Sequence, residues 1–461
     1  MTAVSPYLPV AGAYDEAFAP DGSLRGEGGA GLAAIGDADL GALSDDLHQD
    51  LVGRGIGFRS VGGEAEFNID PVPRVLGAAE WEALEAGLTQ RVRALNAFLA
   101  DAYGPRRAVA EGVVPERVIE ESAGYEPSMQ GVRPPGDLWV GVSGLDLVRD
   151  GAGDFLVLED NLTTPSGYAY AVEARAGLLR RLPPGAGAGP RSLDGVAGML
   201  AATLRSVAAA GEGDPAVVVV LTDGRDNSAA YEHAWAAAAL GVPLVEPGDL
   251  ERGGDRVLHE GRPVDVVYRR TDADRVDAGV GELLAAPLRA GTLAVVNAFG
   301  TAVADDKLAH AYVEALVRFH LGEEPLLHSV ETLDLGRPEV LERAMDELDT
   351  LVVKPRTGHG GIGVVICPHA ERADVEALRA AIAAAPAEFV AQPLIDLSVH
   401  PTVVDGELRP RHVDLRPFVF LRASGEAAVM PGGLTRVALG EGAIVVNSTQ
   451  NGGAKDTWVL A

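Results

Sequence analysis

The chain has 461 residues, a length that allows two to four structural units. Its formal net charge is −29, with 38 Lys+Arg against 67 Asp+Glu, and this charge argues against a nucleic-acid partner, because proteins that bind nucleic acids present a basic face. Its one cysteine, Cys367, excludes an internal disulfide framework and a cysteine zinc site. No stretch approaches the roughly 20 apolar residues of a membrane span, and no basic start precedes an apolar run as in a secretory signal, so we expect a cytoplasmic protein with no membrane partner.

The first part of the chain predicts a lead-in, a long helix and a hairpin. Residues 1–60 are rich in Gly, Ala and Asp and predict an irregular or partly helical segment. Residues 80–102 carry apolar side chains at three- and four-residue spacing, which predicts an amphipathic helix. Residues 137–142 and 155–158 predict two strands, and the turn-forming residues 149–154 indicate that they form a hairpin.

The middle of the chain predicts a small doubly wound α/β unit, because buried strands alternate with helices. The predicted strands are 216–221, 243–245, 264–268 and 293–296. A helix is predicted at 228–240, and another near 305–320. Residues 350–461 are strand-rich with a helix near 370–385, which is an α+β pattern.

A glycine-rich loop lies between two β-branched runs within residues 351–366. Gly358, Gly360 and Gly363 match G-x-G-x-x-G, but the flanking strands predict strand–loop–strand rather than the strand–turn–helix of a dinucleotide site. Such a loop can lay backbone N–H groups over phosphates, with Lys354 before it as a compact cation. A protein kinase places its glycines before the lysine, so this segment differs from a kinase. The alternative is a glycine-rich hairpin with an incidental lysine.

Oxygen-bearing side chains end the second strand of the predicted hairpin. Glu159 and Asn161 are two residues apart and therefore leave the strand on one face, where Asp146 of the preceding strand can join them. Hard oxygen ligands of this kind suit Mg²⁺ that is shared with nucleotide phosphates. The alternative is a solvated turn capped by Asp160 and Asn161.

Lysine is rare in this chain, where Lys307, Lys354 and Lys455 are the only three. Retention of lysine among so many arginines favours sites where a compact charge meets a phosphate oxygen, and the alternative is codon bias. Arg416 and Arg436 lie in strand-like contexts, where they can neutralise charge on a transferring phosphate or form ordinary surface ion pairs.

These motifs together resemble the circularly permuted ATP-grasp proteins of type 2, relatives of glutathionylspermidine synthetase-like ligases. The resemblance runs from about Phe67 to the end of the sequence. It rests on Asp70–Arg74, Val142–Gly151, Leu158–Gly167, Asn227–Ala229, Tyr268–Asp272, Ala304–Lys307, Leu321–Pro325, Arg411–Phe418, Pro431–Arg436 and Lys455–Trp458. It implies a circularly permuted ATP-grasp fold of mixed α/β and α+β class, with an inserted small doubly wound pre-ATP-grasp-like unit.

The resemblance also implies a division of the chain. Residues 1–66 are a variable lead-in, and residues 67–190 are the N-terminal part of the ATP-grasp domain with the metal-binding strands. Residues 191–300 are the Rossmann-like unit, and residues 301–461 are the nucleotide-binding lobe with the C-terminal strands.

Roles for individual residues follow from the same resemblance. The implied nucleotide contacts are Lys307, Lys354, His359, Gly360, Gly361, Gly363, Gln392, Pro393 and Leu394, with Lys455 placed at the acceptor or phosphate side. The implied Mg²⁺ ligands are Asp146, Glu159 and Asn161. The implied catalytic cations on the phosphate side are Arg416 and Arg436.

The implied activity is that of an ATP-dependent carboxylate–amine ligase with ATP and Mg²⁺ as cofactors. A substrate carboxylate takes the γ-phosphate to give an acyl phosphate, and an amine then forms the amide, with release of ADP and phosphate. The expected partners are ATP and small-molecule or peptide carboxylates and amines. Two alternatives keep the nucleotide site: a small-molecule kinase, and a nucleotide-binding scaffold with little turnover.

Overall fold

Helices and strands are interspersed throughout the computed structural model, which describes residues 7–60, 63–183, 189–208, 216–271, 275–358, 362–440, 442–443 and 453–461. The helices are α1 (Ala30–Ile35), α2 (Leu40–Gly53), α3 (Ala78–Ala102), α4 (Arg107–Ala110), α5 (Arg117–Glu120), α6 (Tyr168–Leu179), α7 (Val196–Ser206), α8 (Ala230–Leu240), α9 (Val280–Arg289), α10 (Ala302–Asp305), α11 (Lys307–His310), α12 (Val313–Leu321), α13 (Pro338–Asp346) and α14 (Arg372–Ala384). None of the helices in these ranges is both long and apolar enough to cross a membrane.

Seven groups of paired strands accompany these helices in the described ranges. The strands of the first half are β1 (Gly57–Ser60), β2 (Gly63–Glu66), β3 (Ile69–Leu76), β4 (Val142–Arg149), β5 (Phe155–Asn161), β6 (Val218–Thr222), β7 (Leu244–Val245), β8 (Leu250–Gly253), β9 (Arg256–His259), β10 (Arg262–Val264), β11 (Val266–Arg270) and β12 (Ala294–Val296). Those of the second half are β13 (Leu333–Asp334), β14 (Leu351–Pro355), β15 (Val365–Ile366), β16 (Phe389–Pro393), β17 (Val399–Val404), β18 (Glu407–His412), β19 (Asp414–Leu415), β20 (Phe418–Leu421), β21 (Ala427–Val429), β22 (Leu434–Val437) and β23 (Gly453–Val459).

The predicted amphipathic helix is confirmed as α3, which crosses the main hydrophobic core. Trp81, Leu88, Leu95 and Phe98 are fully buried at the helical spacing that the sequence shows. Arg91, on the same buried side, places a charged group inside the core. The helix therefore supplies both apolar packing and one internal cation.

The predicted hairpin is confirmed as β4 and β5, which pair antiparallel and carry Asp146 opposite Glu159. The position of the first strand was predicted wrongly, because the predicted range 137–142 shares only Val142 with β4. Asn96 explains the difference, because its side-chain oxygen accepts the backbone N–H of Trp139 at 2.9 Å and so occupies a group that a strand would use. β4 also pairs with β19 and β20, which brings the C-terminal third of the chain beside the hairpin.

The predicted strands of the middle region form one parallel sheet in the order β12-β11-β6-β7. Their apolar runs are mostly buried, as parallel strands covered on both faces require, and the exception is Leu244 of the edge strand β7. A ribbon of β8, β9 and β10 connects β7 to β11, and the sequence analysis did not predict it. These strands have only three or four residues each, with mostly exposed side chains, so their pattern is weak.

The strand–loop–strand prediction for the glycine-rich segment is confirmed, since β14 pairs antiparallel with β15 and with β16. Helices α13 and α14 pack beside this sheet, and together they enclose a second, smaller core. Val353 and Ile382 are fully buried within it. The glycine loop therefore extends from a sheet that has its own hydrophobic core.

The lead-in is partly helical, as predicted, and it packs into the rest of the molecule. Glu16 is buried and its backbone N–H donates to the carbonyl of Val399 at 3.0 Å. Its carboxylate accepts from Arg74 on β3, at 2.6 and 2.7 Å. β3 pairs in turn with β23, so segments that are distant in sequence share one sheet.

Candidate functional site

The first part of the candidate site is Lys307, which links the metal-ligand strand to the glycine loop. Its ammonium lies 3.0 Å from the Glu159 carboxylate of β5 and donates to the carbonyl of Gly358 at 2.8 Å. Asp306 caps the start of α11 by accepting from the backbone N–H of Leu308, which fixes the direction in which Lys307 leaves the helix. Two residues predicted for different roles are thus in direct contact.

Lys354 on β14 completes the pair of lysines around Glu159. Burial lowers the pKa of Lys354 to about 8, and Lys307 adds repulsion while Glu159 and Asp146 favour the charged form. Burial alone would raise the pKa of Glu159, but Lys307 and Lys354 outweigh it and hold that pKa below its ordinary value. Lys354 therefore keeps most of its charge at neutral pH, and the two lysines favour the ionised form of Glu159.

Asp146 on β4 contacts both predicted catalytic cations. Its carboxylate forms an ion pair with Arg416, and it lies 3.7 Å from the guanidinium of Arg436. The side-chain amide of Asn161 donates to it at 3.0 Å. Burial raises the pKa of Asp146 to about 7, and repulsion from Glu159 adds to the rise although Arg416 opposes it. The ionised form of this carboxylate is therefore destabilised, and a further cation nearby would stabilise it.

Asp414 was not selected by sequence reasoning, although it binds both arginines. One of its carboxylate oxygens accepts from Arg416 and from Arg436, each at 3.0 Å. The other accepts the backbone N–H of Arg436 at 3.0 Å. Burial raises the pKa of Asp414 to about 6, against the effect of Arg416. The two-residue spacing of Asp414 and Arg416 on one strand face was the available signal.

A cleft of about 220 Å³ opens beside these charges. It is lined by Gly144, Asp146, Asn161, Thr163, Thr164, Pro165, Ser166, Asp305, Arg416 and Phe418. Asp305 holds the lining loop, because its carboxylate accepts from the hydroxyl of Thr163 at 2.6 Å and from the backbone N–H of Leu162 at 2.8 Å. The lining offers hydroxyl groups, carboxylates and one guanidinium, with Phe418 as an apolar wall, which suits a small polar substrate.

The predicted Mg²⁺ ligands fit a metal shared with a ligand rather than a preformed cage. Within the ranges that the structure describes, no group of three or more His, Cys, Asp or Glu side chains is arranged to hold a metal. Asp146 instead pairs with Arg416, and Glu159 pairs with Lys307. Two carboxylates and the amide of Asn161 nevertheless supply the hard oxygen atoms that Mg²⁺ takes when phosphates complete its shell.

Lys455 is not brought to this cluster. It lies on β23 with its side chain completely buried, in an ion pair with Asp70 of β3. Its ammonium also donates to the carbonyl of Pro401 at 3.0 Å and of Val72 at 3.3 Å. All of the hydrogens of this ammonium are therefore used by the protein, and the placement gives no support to a nucleotide contact.

The predicted adenine-side residues lie at the end of β16, next to the lysine strand. Gln392 is buried and its amide donates to the hydroxyl of Thr332 at 2.8 Å, while Pro393 and Leu394 are partly buried. Pro393 lies opposite Leu351 of β14, and so the segment borders the strand that carries the site lysine.

Of the predicted flap, Gly363 is described and has a φ of 77°, which favours glycine. Gly358, at the other side, has a φ of 116°. His359, Gly360 and Gly361 lie outside the described residues.

The mixed fold of helices and sheets is that of an ATP-grasp protein. The chain belongs to the circularly permuted ATP-grasp type 2 family, whose sequence model matches residues 73–438. Membership of this family implies use of ATP and supports a ligase activity.

Relatives with curated names cover almost the whole chain. An uncharacterized protein of Mycobacterium tuberculosis is 43% identical over 97% of this chain and 84% of its own length. A Frankia alni protein named "Putative glutamate--cysteine ligase 2-3" is 44% identical over 97% of this chain but 54% of its own length. The Frankia protein therefore contains a long region with no counterpart here.

Among solved structures, a glutathione synthetase-like effector (GSS30) from Globodera pallida in its apo form has a TM-score of 0.61. The likeness covers 92% of this chain and 99% of the effector, at 11% sequence identity. At that identity it shows a shared fold.

Proposed function

We propose that this protein is an ATP-dependent carboxylate–amine ligase that forms an amide bond through an acyl phosphate. The observation that carries the proposal is the joining of two charge clusters beside one cleft. Four cations face three carboxylates there: Lys307, Lys354, Arg416 and Arg436 against Asp146, Glu159 and Asp414. The four cations suit a polyphosphate, and the cleft gives room for an acceptor.

The two lysines and the glycine loop are proposed to bind the nucleotide phosphates. Lys307 exchanges the carbonyl of Gly358 for a phosphate oxygen, and this exchange frees the loop to lie over the nucleotide. Lys354, fixed on a strand, holds a second oxygen. Mg²⁺, held by Asp146, Glu159 and Asn161, would supply neutralisation of the phosphate charge that these cations leave.

The two arginines are proposed to act on the transferred group. A substrate carboxylate oxygen forms a bond to the γ-phosphorus while the bond to the bridging oxygen breaks and ADP leaves. The amine nitrogen then bonds to the acyl carbon, phosphate leaves with the electron pair, and the nitrogen loses a proton. Arg416 and Arg436, held in place by Asp414, stabilise the charge that develops on the transferred phosphoryl oxygens.

Glutamate and cysteine are the first substrates to test, because of the name of the Frankia alni relative. That relative matches over only 54% of its length, and so its named reaction can reside in the part of it that lies outside the match. We therefore expect the carboxylate and amine of this protein to be identified only by an unbiased search of metabolites.

The test is mass spectrometry of cell extracts incubated with ATP and Mg²⁺ and either wild type, Lys354→Ala or Arg337→Ala. Arg337 is an exposed cation outside the cluster and controls for the loss of one charge. We expect a condensation product, ADP and phosphate with wild type and Arg337→Ala, and none with Lys354→Ala. Release of AMP and pyrophosphate would overturn the acyl-phosphate route, and a phosphoester without an amide would identify a kinase.

A further inference from the structure

Asp160 lies between two predicted metal ligands and faces away from them. Because successive side chains of a strand alternate, Glu159 and Asn161 share one face of β5 and Asp160 occupies the other. There it is buried and accepts a bidentate pair of hydrogen bonds from Arg91 of α3, at 2.6 and 2.7 Å. The strand that carries the proposed metal ligands is thus anchored from behind by a charge inside the main core.

The same carboxylate also holds the helix that carries Lys307. The imidazole Nδ1 of His310 lies 2.8 Å from Asp160, and His310 follows Lys307 by three residues, about one helical turn. Arg91 adds a hydrogen bond to the hydroxyl of Ser329 at 2.9 Å. We name Arg91, Asp160, His310 and Ser329 the Asp160 node.

Glu159 and Lys307, which both face the candidate site, are therefore each held by an element that the Asp160 node anchors from its other side. Glu159 is the residue before Asp160 on β5, and Lys307 lies one turn before His310 on α11. The contact of 3.0 Å between Glu159 and Lys307 consequently depends on the separation that the node sets between β5 and α11. A buried ion pair is weak evidence for stability, because desolvation of both charges offsets their attraction.

We propose that the Asp160 node positions Glu159 and Lys307 relative to each other, with Asp160 and His310 as positioning residues. Its meaning for catalysis rests on the proposed ligase function, but the geometry can be tested without any ligand. The node fixes two elements from opposite halves of the chain at the distance that the charged pair requires. Loss of the node should free Lys307 while the rest of the fold persists.

The rarity of lysine makes this test simple, because the only primary amines that acetic anhydride can acetylate are those of Lys307, Lys354, Lys455 and the N-terminus. Lys455 is completely buried and serves as an internal reporter of global unfolding, whereas the side chain of Lys307 is 14% exposed. The acetylation rate of each lysine is read by mass spectrometry of peptides.

We expect His310→Ala to raise the acetylation rate of Lys307 on the order of tenfold, as loss of a hydrogen bond to a charged group predicts, with Lys455 unreactive. His310→Asn should restore most of the protection, because its amide can donate from the place of Nδ1. Asp160→Asn should give a larger increase than His310→Ala. If Asp160→Asn unfolds, Lys455 becomes reactive. The comparison of His310→Ala with His310→Asn then still decides whether the node positions Lys307.

The matched control is Asp456→Asn, which breaks another buried pair, with Arg175 at 2.6 Å, away from the node. It should leave the Lys307 rate unchanged while Lys455 stays unreactive, which shows that the variant remains folded. Equal Lys307 rates in wild type, His310→Ala and Asp160→Asn would overturn the proposal, as would a rise of the same size in Asp456→Asn.

Turnover separates this proposal from the proposed function. If wild type forms a condensation product, His310→Ala should lower kcat more than it raises KM for ATP, and His310→Asn should recover kcat. If wild type forms none, the ligase proposal fails, and the acetylation rates still decide whether the node positions the two residues.

Discussion

Two clusters of buried charge contain a lysine beside a carboxylate. They differ in how completely the protein itself provides partners for the charges of each cluster. On β3 and β23, Lys455 pairs with Asp70, whose other oxygen accepts the backbone N–H of Val403 at 2.6 Å. On β4, β5 and β19, burial together with nearby carboxylates raises the pKa of Asp146 to about 7, and burial raises that of Asp414 to about 6. In the first cluster each charge has its partner and the loss of one leaves the other unpaired, whereas the second, crowded cluster has an electrostatic reason to bind a ligand.

The strongest test of this difference is Lys455→Met. It leaves the carboxylate of Asp70 buried without its cation, which we expect to cost about 3–5 kcal/mol in the free energy of unfolding, measured with urea. The control is Lys307→Met, since Lys307 is partly exposed and should change stability by less than about 1 kcal/mol. Equal losses in the two variants would abolish the distinction between the clusters.

The next largest effect concerns activity. Lys307→Arg and Lys354→Arg keep the charge but replace a compact ammonium by a planar fork, and each should lower kcat/KM for ATP by about 100-fold. The release of ADP provides the measurement, and Arg337→Lys at an exposed position is the control. Wild-type rates in both site variants would mean that codon bias, not phosphate binding, explains the retained lysines.

The crowded cluster should also respond to pH. The pKa of Asp146 is raised in the folded state, so its contribution to stability is complete at pH below about 4 and is lost as pH rises through about 7. Asp146→Asn should therefore gain stability relative to wild type between pH 4 and pH 8, on the order of 2 kcal/mol. Thermal unfolding across this range gives the measurement, with the exposed Glu407→Gln as control. A pH-independent difference would contradict the shift.

The smallest expected effect is that of Asp414→Asn, whose single amide oxygen can still accept from Arg416 and Arg436 but which loses the charge and the acceptor of the Arg436 backbone N–H. We expect a fall of about tenfold in kcat with little change in ATP affinity. Calorimetry and turnover together separate the two quantities, and Glu426→Gln, which weakens an exposed pair with Arg422, is the control. A loss of affinity equal to the loss of rate would place the arginines in ground-state binding.

Regular patterns made much of the fold predictable. The spacing of apolar residues identified α3, and the β-branched runs around the glycines identified the strand–loop–strand, because both signals are local. The predicted start of the first hairpin strand was wrong because the side chain of Asn96, on α3, accepts hydrogen bonds from the backbone N–H groups of Trp139 and Val140. That contact joins segments that are distant in sequence, which no local pattern reports.

The same limit applies to the site. Lys455 shares a charged, motif-like context with Lys307, but its partner Asp70 lies 385 residues away in sequence and buries it. Asp160 was given no role in the site, with a turn cap as the alternative, whereas it anchors its strand from the opposite face. Sequence alone indicates which residues carry charge, and the pairing of distant strands decides which charges remain available to a ligand.

The sheet of β22, β23 and β3 has a consequence for biosynthesis. β23 lies between the other two strands, so the first strand of the three to leave the ribosome waits for the last before it gains its parallel neighbour. Contacts of such long sequence separation form slowly, because the loop must close before they contribute. During synthesis, the buried charges of Asp70 and Arg74 remain without their final surroundings, and the unpaired edge of β3 stays open to contact with other chains.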